Sequence, residues 1–90
     1  MKAYKVFEKY GFCKGDYAKD IRGSSVDPRD STARQVCTVG AIRLAYTTVD
    51  EYMDAMSKVK AHVKMGVAYW NDEPERTKQQ VVKMLKDLDI

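Results

Sequence analysis

The chain has 90 residues, 44% of them hydrophobic and 32% charged, with 16 Lys/Arg against 13 Asp/Glu and a net charge of +3. This is the composition of one folded domain rather than a disordered segment. No apolar run nears the roughly 20 residues that a membrane span needs. Met1-Lys2-Ala3-Tyr4-Lys5 lacks the apolar stretch of a secretory leader, so a cytoplasmic setting is expected, with Cys13 and Cys37 as free thiols.

A chain this short buries about 60–65% of its unfolded surface, so the core is small. Residues 1–45 carry nine Lys/Arg against five Asp/Glu, and residues 46–90 carry seven against eight. In sequence the basic residues are scattered and interleaved with acids. Dedicated nucleic-acid binders gather them on one face.

Tyr4, Phe7 and Tyr10, with Ala3 and Val6 beside them, predict a helix over 2–10 that Gly11 stops. Residues 14–36 carry Gly15, Gly23, Ser24, Ser25, Pro28 and Ser31 and read as a long irregular loop, mobile when free, with at most a helical turn near Asp16–Ile21 or a strand. A second helix is expected over 37–46, with Cys37, Gly40, Ala41 and Leu44 on one stripe and Arg43 facing solvent. Gly40 costs about 1 kcal/mol in a helix relative to Ala, a cost that close packing on that stripe accounts for.

Thr47 or Thr48 caps a third helix whose first turn holds Asp50 and Glu51, where the helix dipole favours carboxylates. Tyr52, Met56, Val59, Val63, Val67 and Trp70 keep helical spacing to about Trp70, with Gly66 as a weak point. Asn71-Asp72-Glu73-Pro74-Glu75 reads as a turn. Thr77-Lys78-Gln79-Gln80 has the capping-box form and starts a last helix over 78–88. The expected fold is therefore all-α: one domain over 1–90, about four helices, and a long loop between the first two.

The strings Gly11-Phe12-Cys13-Lys14-Gly15, Cys37-x-x-Gly40-Ala41-Ile42 and Trp70-Asn71-Asp72-x-x-x-Arg76-Thr77 resemble a small domain family of unknown function found in bacteriophages and bacteria, notably actinobacteria. The resemblance covers nearly the whole chain. It departs at Phe12, where the family commonly has Trp, and in the loop before Cys37. It implies a phage or prophage setting and no catalytic residues.

Two chemistries compete for Cys37. At a helix N-terminus its thiolate would be favoured, with His62 as base and Asn71 or Asp72 as orienting group, as in cysteine hydrolases. Val36 and Val39 beside it argue instead for a small residue in an apolar core, and that structural reading is preferred. Asn71 and Asp72 are likewise read as turn-forming residues, with Arg76 as an exposed ion-pair partner of Asp72, and Trp70 as a core anchor. Gly40, Ala41, Trp70, Asn71, Asp72, Arg76 and Thr77 form the structural set. Two Cys and one His lack metal-ligand spacing, and no phosphate-binding glycine loop is present, so neither metal nor cofactor is expected. A helix-turn-helix reading meets Asp50, Glu51 and Asp54, where a recognition helix would face phosphates.

The function expected is that of a small phage-type accessory protein that binds a host or phage protein, without a membrane. Lys14, Lys19, Arg22 and Arg29 are the candidate contacts. A cysteine enzyme at Cys37 and a nucleic-acid binder are the alternatives.

Overall fold

The computed structural model describes residues 1–90. The first helix, α1 (Ala3–Val6), is a single turn. Glu8 and Lys9 donate backbone hydrogen bonds to Lys5 and Val6, three residues back. That tighter winding ends the α-helix early, where a helix over 2–10 was expected. Gly11 then opens β1 (Gly11–Phe12).

The all-α expectation is overturned. The chain holds five helices and a three-stranded mixed sheet. Strands β2 (Ala18–Lys19) and β3 (Gln35–Val36) lie inside the segment read as irregular. β3 is central, parallel to β1 and antiparallel to β2. Each strand is two residues long, too short to show the alternation by which a strand is recognised in sequence. The chain between β2 and β3 folds through side-chain turns: Asp20 Oδ1 accepts from the amides of Arg22 and Ser24, Asp27 Oδ1 from Arg29, and Asp30 Oδ1 from Thr32. Short carboxylates that bond the backbone two residues on are turn formers.

Helix α2 (Thr38–Ala45) follows β3 directly and buries five consecutive residues, Thr38–Ile42. Gly40 is needed there. A Cβ at that position would fall inside the carbonyl oxygen of Tyr17 and lie 3.3 Å from Val36 Cβ, so α2 can rest on β2 and β3 only without a side chain. Helix α3 (Val49–Val63) is capped by Thr48, whose Oγ1 accepts the Glu51 amide at 3.2 Å. The long helix expected to reach Trp70 breaks at Lys64, which takes a left-handed conformation (φ 60°). The chain resumes as α4 (Val67–Asp72). Asn71 and Asp72, expected in a turn, therefore end a helix. Helix α5 (Lys78–Asp87) begins with the capping box that Thr77 and Gln80 predict. Ile42, Leu85, Val36, Val59 and Val81 are the large apolar side chains at the centre of the core, and α1, α3 and α4 each pack on α2.

Candidate functional site

An open cleft of about 390 Å³ lies between the turn after β1 and α4, and Cys37, Asn71 and Asp72 are among its lining residues. Three of the four residues of the cysteine-enzyme reading therefore meet. The fourth does not: His62 is exposed on α3 and takes no part in the lining.

The atoms of the three show a structural lock. Asn71 is fully buried. Its Oδ1 accepts from the Thr38 amide at 2.8 Å and from Thr38 Oγ1 at 2.7 Å, and its Nδ2 donates to the Cys13 carbonyl at 3.2 Å and to Asp72 Oδ1 at 2.9 Å. The β1–β3 register pairs Phe12 with Val36, and Cys13 N donates to the Val36 carbonyl at 3.1 Å. One step further, a parallel ladder would join the Thr38 amide to the Cys13 carbonyl. The Asn71 carboxamide stands between those two groups and bonds both. It thus satisfies the backbone where α2 leaves the sheet, and it pins α4 to both strands. Asp72 Oδ1 also accepts the Gly15 amide at 3.1 Å, fixing the turn after β1.

Cys37 is the N-cap of α2. Its Sγ accepts the Gly40 amide at 3.3 Å. Burial pushes its thiol up, and the Gly40 and Val39 amides only partly counter this. Cys13, the next residue after β1, is pushed up to about 12, first by burial and then by the neighbouring Cys37. Both sulfurs are free thiols and buried. A nucleophilic cysteine needs its thiolate within reach of neutral pH, and here the environment acts the other way.

The remaining predicted residues are spread over the surface. Lys14 Nζ donates to the carbonyls of Glu73 and Pro74 at 2.7 and 2.9 Å. Lys19 lies 3.9 Å from Asp16, and Arg22 sits in the Asp20 turn. Arg29 donates to the Arg43 carbonyl at 3.3 Å. Ala41 is fully buried beside Gly40. Trp70 is half-buried against the core, less enclosed than expected. The Arg76 guanidinium covers its ring at 3.8 Å, and Arg76 Nε donates to the Trp70 carbonyl at 2.9 Å. Arg76 pairs with Glu73 at 3.4 Å rather than with Asp72, because Asp72 is engaged by Gly15 and Asn71. No group of three or more His, Cys, Asp or Glu side chains is placed to hold a metal ion. No helix is long and apolar enough to cross a membrane.

A second cleft, of about 210 Å³, lies where α2 ends and α3 begins, lined by Arg29, Arg43, Tyr46 and Tyr52 among others. Arg43, expected to face solvent, is half-buried. Its guanidinium lies 4.6 Å from the Tyr17 ring centroid and 5.5 Å from that of Tyr52. The neighbouring Tyr52 side chain pushes its pKa up. Val49, in the wall of this cleft, is 76% exposed, and Met53 one turn on is exposed as well. The sequence signal for this cluster is weak, since Tyr17, Arg29, Arg43 and Tyr52 come from four separate segments: the chain entering β2, the β2–β3 connection, α2 and α3.

A family model described as a family of unknown function (DUF6197) matches residues 1–88. No curated protein and no solved structure matches the chain.

Proposed function

This chain belongs to that family of unknown function, DUF6197, and we propose that it acts by binding a protein partner, without chemistry at its cysteines. The carrying observation is the Arg43 cluster: a guanidinium close to two tyrosine rings, with Arg29 beside it and Val49 exposed at the edge. Tyr and Arg are the residue types that dominate binding hot spots. Side chains already held in place lose little freedom on binding, which is where affinity is otherwise spent. The buried, capping thiol of Cys37 and a cleft lining that does not include His62 favour this reading over the cysteine enzyme.

A bacteriophage accessory protein that modulates a host or defence factor in the bacterial cytoplasm is the biological setting we infer. The resemblance of the three short motifs supports it. The test uses a photo-crosslinking amino acid at Val49, expressed in the bacterial host. A discrete crosslinked protein is expected. That protein, once purified, should bind the native chain in calorimetry and bind the Arg29→Ser/Val49→Asp variant at least tenfold more weakly. Equal affinity for both, with unchanged melting, would place the partner surface elsewhere.

A further inference from the structure

We propose a second binding face, independent of the Arg43 cleft: the surface shared by α1 and α5, whose ligand is single-stranded nucleic acid. Residues 3–10 and 78–87 together hold five lysines and two carboxylates, an excess of three that equals the net charge of the whole chain. The two elements come from opposite ends of the sequence and pack together. The Ala3 amide donates to the carbonyl of Ile90 at 2.6 Å, which fixes their relation.

The lysines are interleaved with aromatic rings. Lys86 Nζ lies 5.7 Å from the Tyr4 ring centroid. Lys78 Nζ donates to the Tyr10 carbonyl at 3.0 Å, and Lys9 Nζ lies 6.0 Å from the Tyr10 ring. An open groove of about 650 Å³ runs along α5 past Lys78, Val82, Lys83 and Lys86. Of the four lysines at this groove and its Tyr10 end, only Lys83 is tied to a carboxylate, Asp87 at 2.7 Å. Asp87 is also the single acidic residue in the groove lining.

Charge complementarity therefore asks for a polyanion. Lysine ammonium groups are compact point charges that suit phosphates, whereas paired recognition of carboxylates favours the planar fork of arginine. Tyrosine rings among the cations provide stacking surface for unpaired bases, the combination by which single strands are held without regard to sequence. A duplex keeps its base faces stacked away and would leave those rings unused.

Fluorescence anisotropy with a fluorescein-labelled oligothymidylate of about 20 nucleotides tests this. Binding is expected at low salt, with log K falling against log salt by roughly 0.7 for each lysine–phosphate contact. The Lys9→Ser/Lys83→Ser/Lys86→Ser variant changes only exposed side chains. It should bind at least tenfold more weakly and lose about two units of that slope. The single Lys86→Ser variant serves if the triple variant melts early, and should lose about 0.7 of a unit. Lys58→Ser/Lys60→Ser, on α3, should leave binding unchanged. Four results would overturn the proposal. The first is no binding at low salt. The second is equal weakening by the α3 variant. The third is displacement by polyglutamate at equal charge, which would assign the face to acidic proteins. The fourth is tighter binding of a duplex of the same length.

Discussion

Replacing Asn71 by alanine removes four hydrogen bonds from a side chain with no solvent exposure. The Thr38 amide and the Cys13 carbonyl lose their partner. A buried polar group left unsatisfied costs about 1–3 kcal/mol. The Thr38 hydroxyl can rotate to another acceptor, so two backbone groups carry the loss. The expected cost is about 3 kcal/mol or more, against a total stability of roughly 5–13 kcal/mol for a domain of this length. Melting should fall by roughly 12–24 °C. The companion variant Asn71→Asp keeps the two acceptor bonds to Thr38 but turns the donor end into an oxygen facing the Cys13 carbonyl and Asp72. It should be at least as destabilising at neutral pH. The carboxyl's folded pKa would lie above its unfolded value near 3.9, because only the protonated form donates to Cys13. The protonated form is stable below the unfolded pKa, and stability is lost as pH rises through the folded pKa. The deficit relative to the native chain should therefore shrink in acid. Thermal melting by circular dichroism across pH reads both effects. A loss below about 1 kcal/mol for Asn71→Ala would refute the view that this amide continues the β1–β3 ladder.

Gly40→Ala should cost several kcal/mol by overpacking, at the top of the roughly 1–3 kcal/mol range or beyond, because the obstruction is the Tyr17 backbone rather than a flexible side chain; urea melts should show a lower midpoint. Thr77→Ala removes the acceptor for the Gln80 amide and should cost about 1 kcal/mol, read the same way. The folded pKa of Cys13, about 12, lies above its ordinary 9.0, so its neutral form stabilises the fold below pH 9 and that contribution is lost as pH rises towards 12. Cys13→Ala should therefore be less sensitive than the native chain to alkali, by up to about 1.4 kcal/mol per pH unit across that interval, seen as a shallower fall of melting temperature above pH 9.

The start and stop signals of helices were legible because each is a local contact. Thr48 with Glu51 and Thr77 with Gln80 cap helices as their spacing implies, and the break falls near Gly66 as the weak point there suggests. Gly40 signalled a close approach. The partner, the Tyr17 carbonyl, was invisible because β2 is two residues long and leaves no pattern. The aspartates at 20, 27 and 30 read as alternating charge along a loop, although each organises a turn of the backbone. Asn71 was expected to bond the amides of its own turn; it instead lies in α4 and bonds the Thr38 amide and the Cys13 carbonyl. Its partners are 33 and 58 positions away. The lysine face has the same origin. Tyr4 and Lys86 stand in halves of the sequence with opposite charge balance, and only the packing of α1 on α5 brings them together.

Central to the proposed function is that Cys37 caps α2 and is not a nucleophile. Its alkylation by iodoacetamide, followed by peptide mass spectrometry in the folded and the urea-unfolded chain, tests this most directly. Labelling of Cys37 is expected to be slow in the folded chain at neutral pH, much slower than in urea, with a rate that rises only above the ordinary thiol value of 9.0. Rapid labelling of the folded chain with a midpoint well below that value would contradict the capping role and return the cleft beside Asn71 and Asp72 to candidacy as an active site.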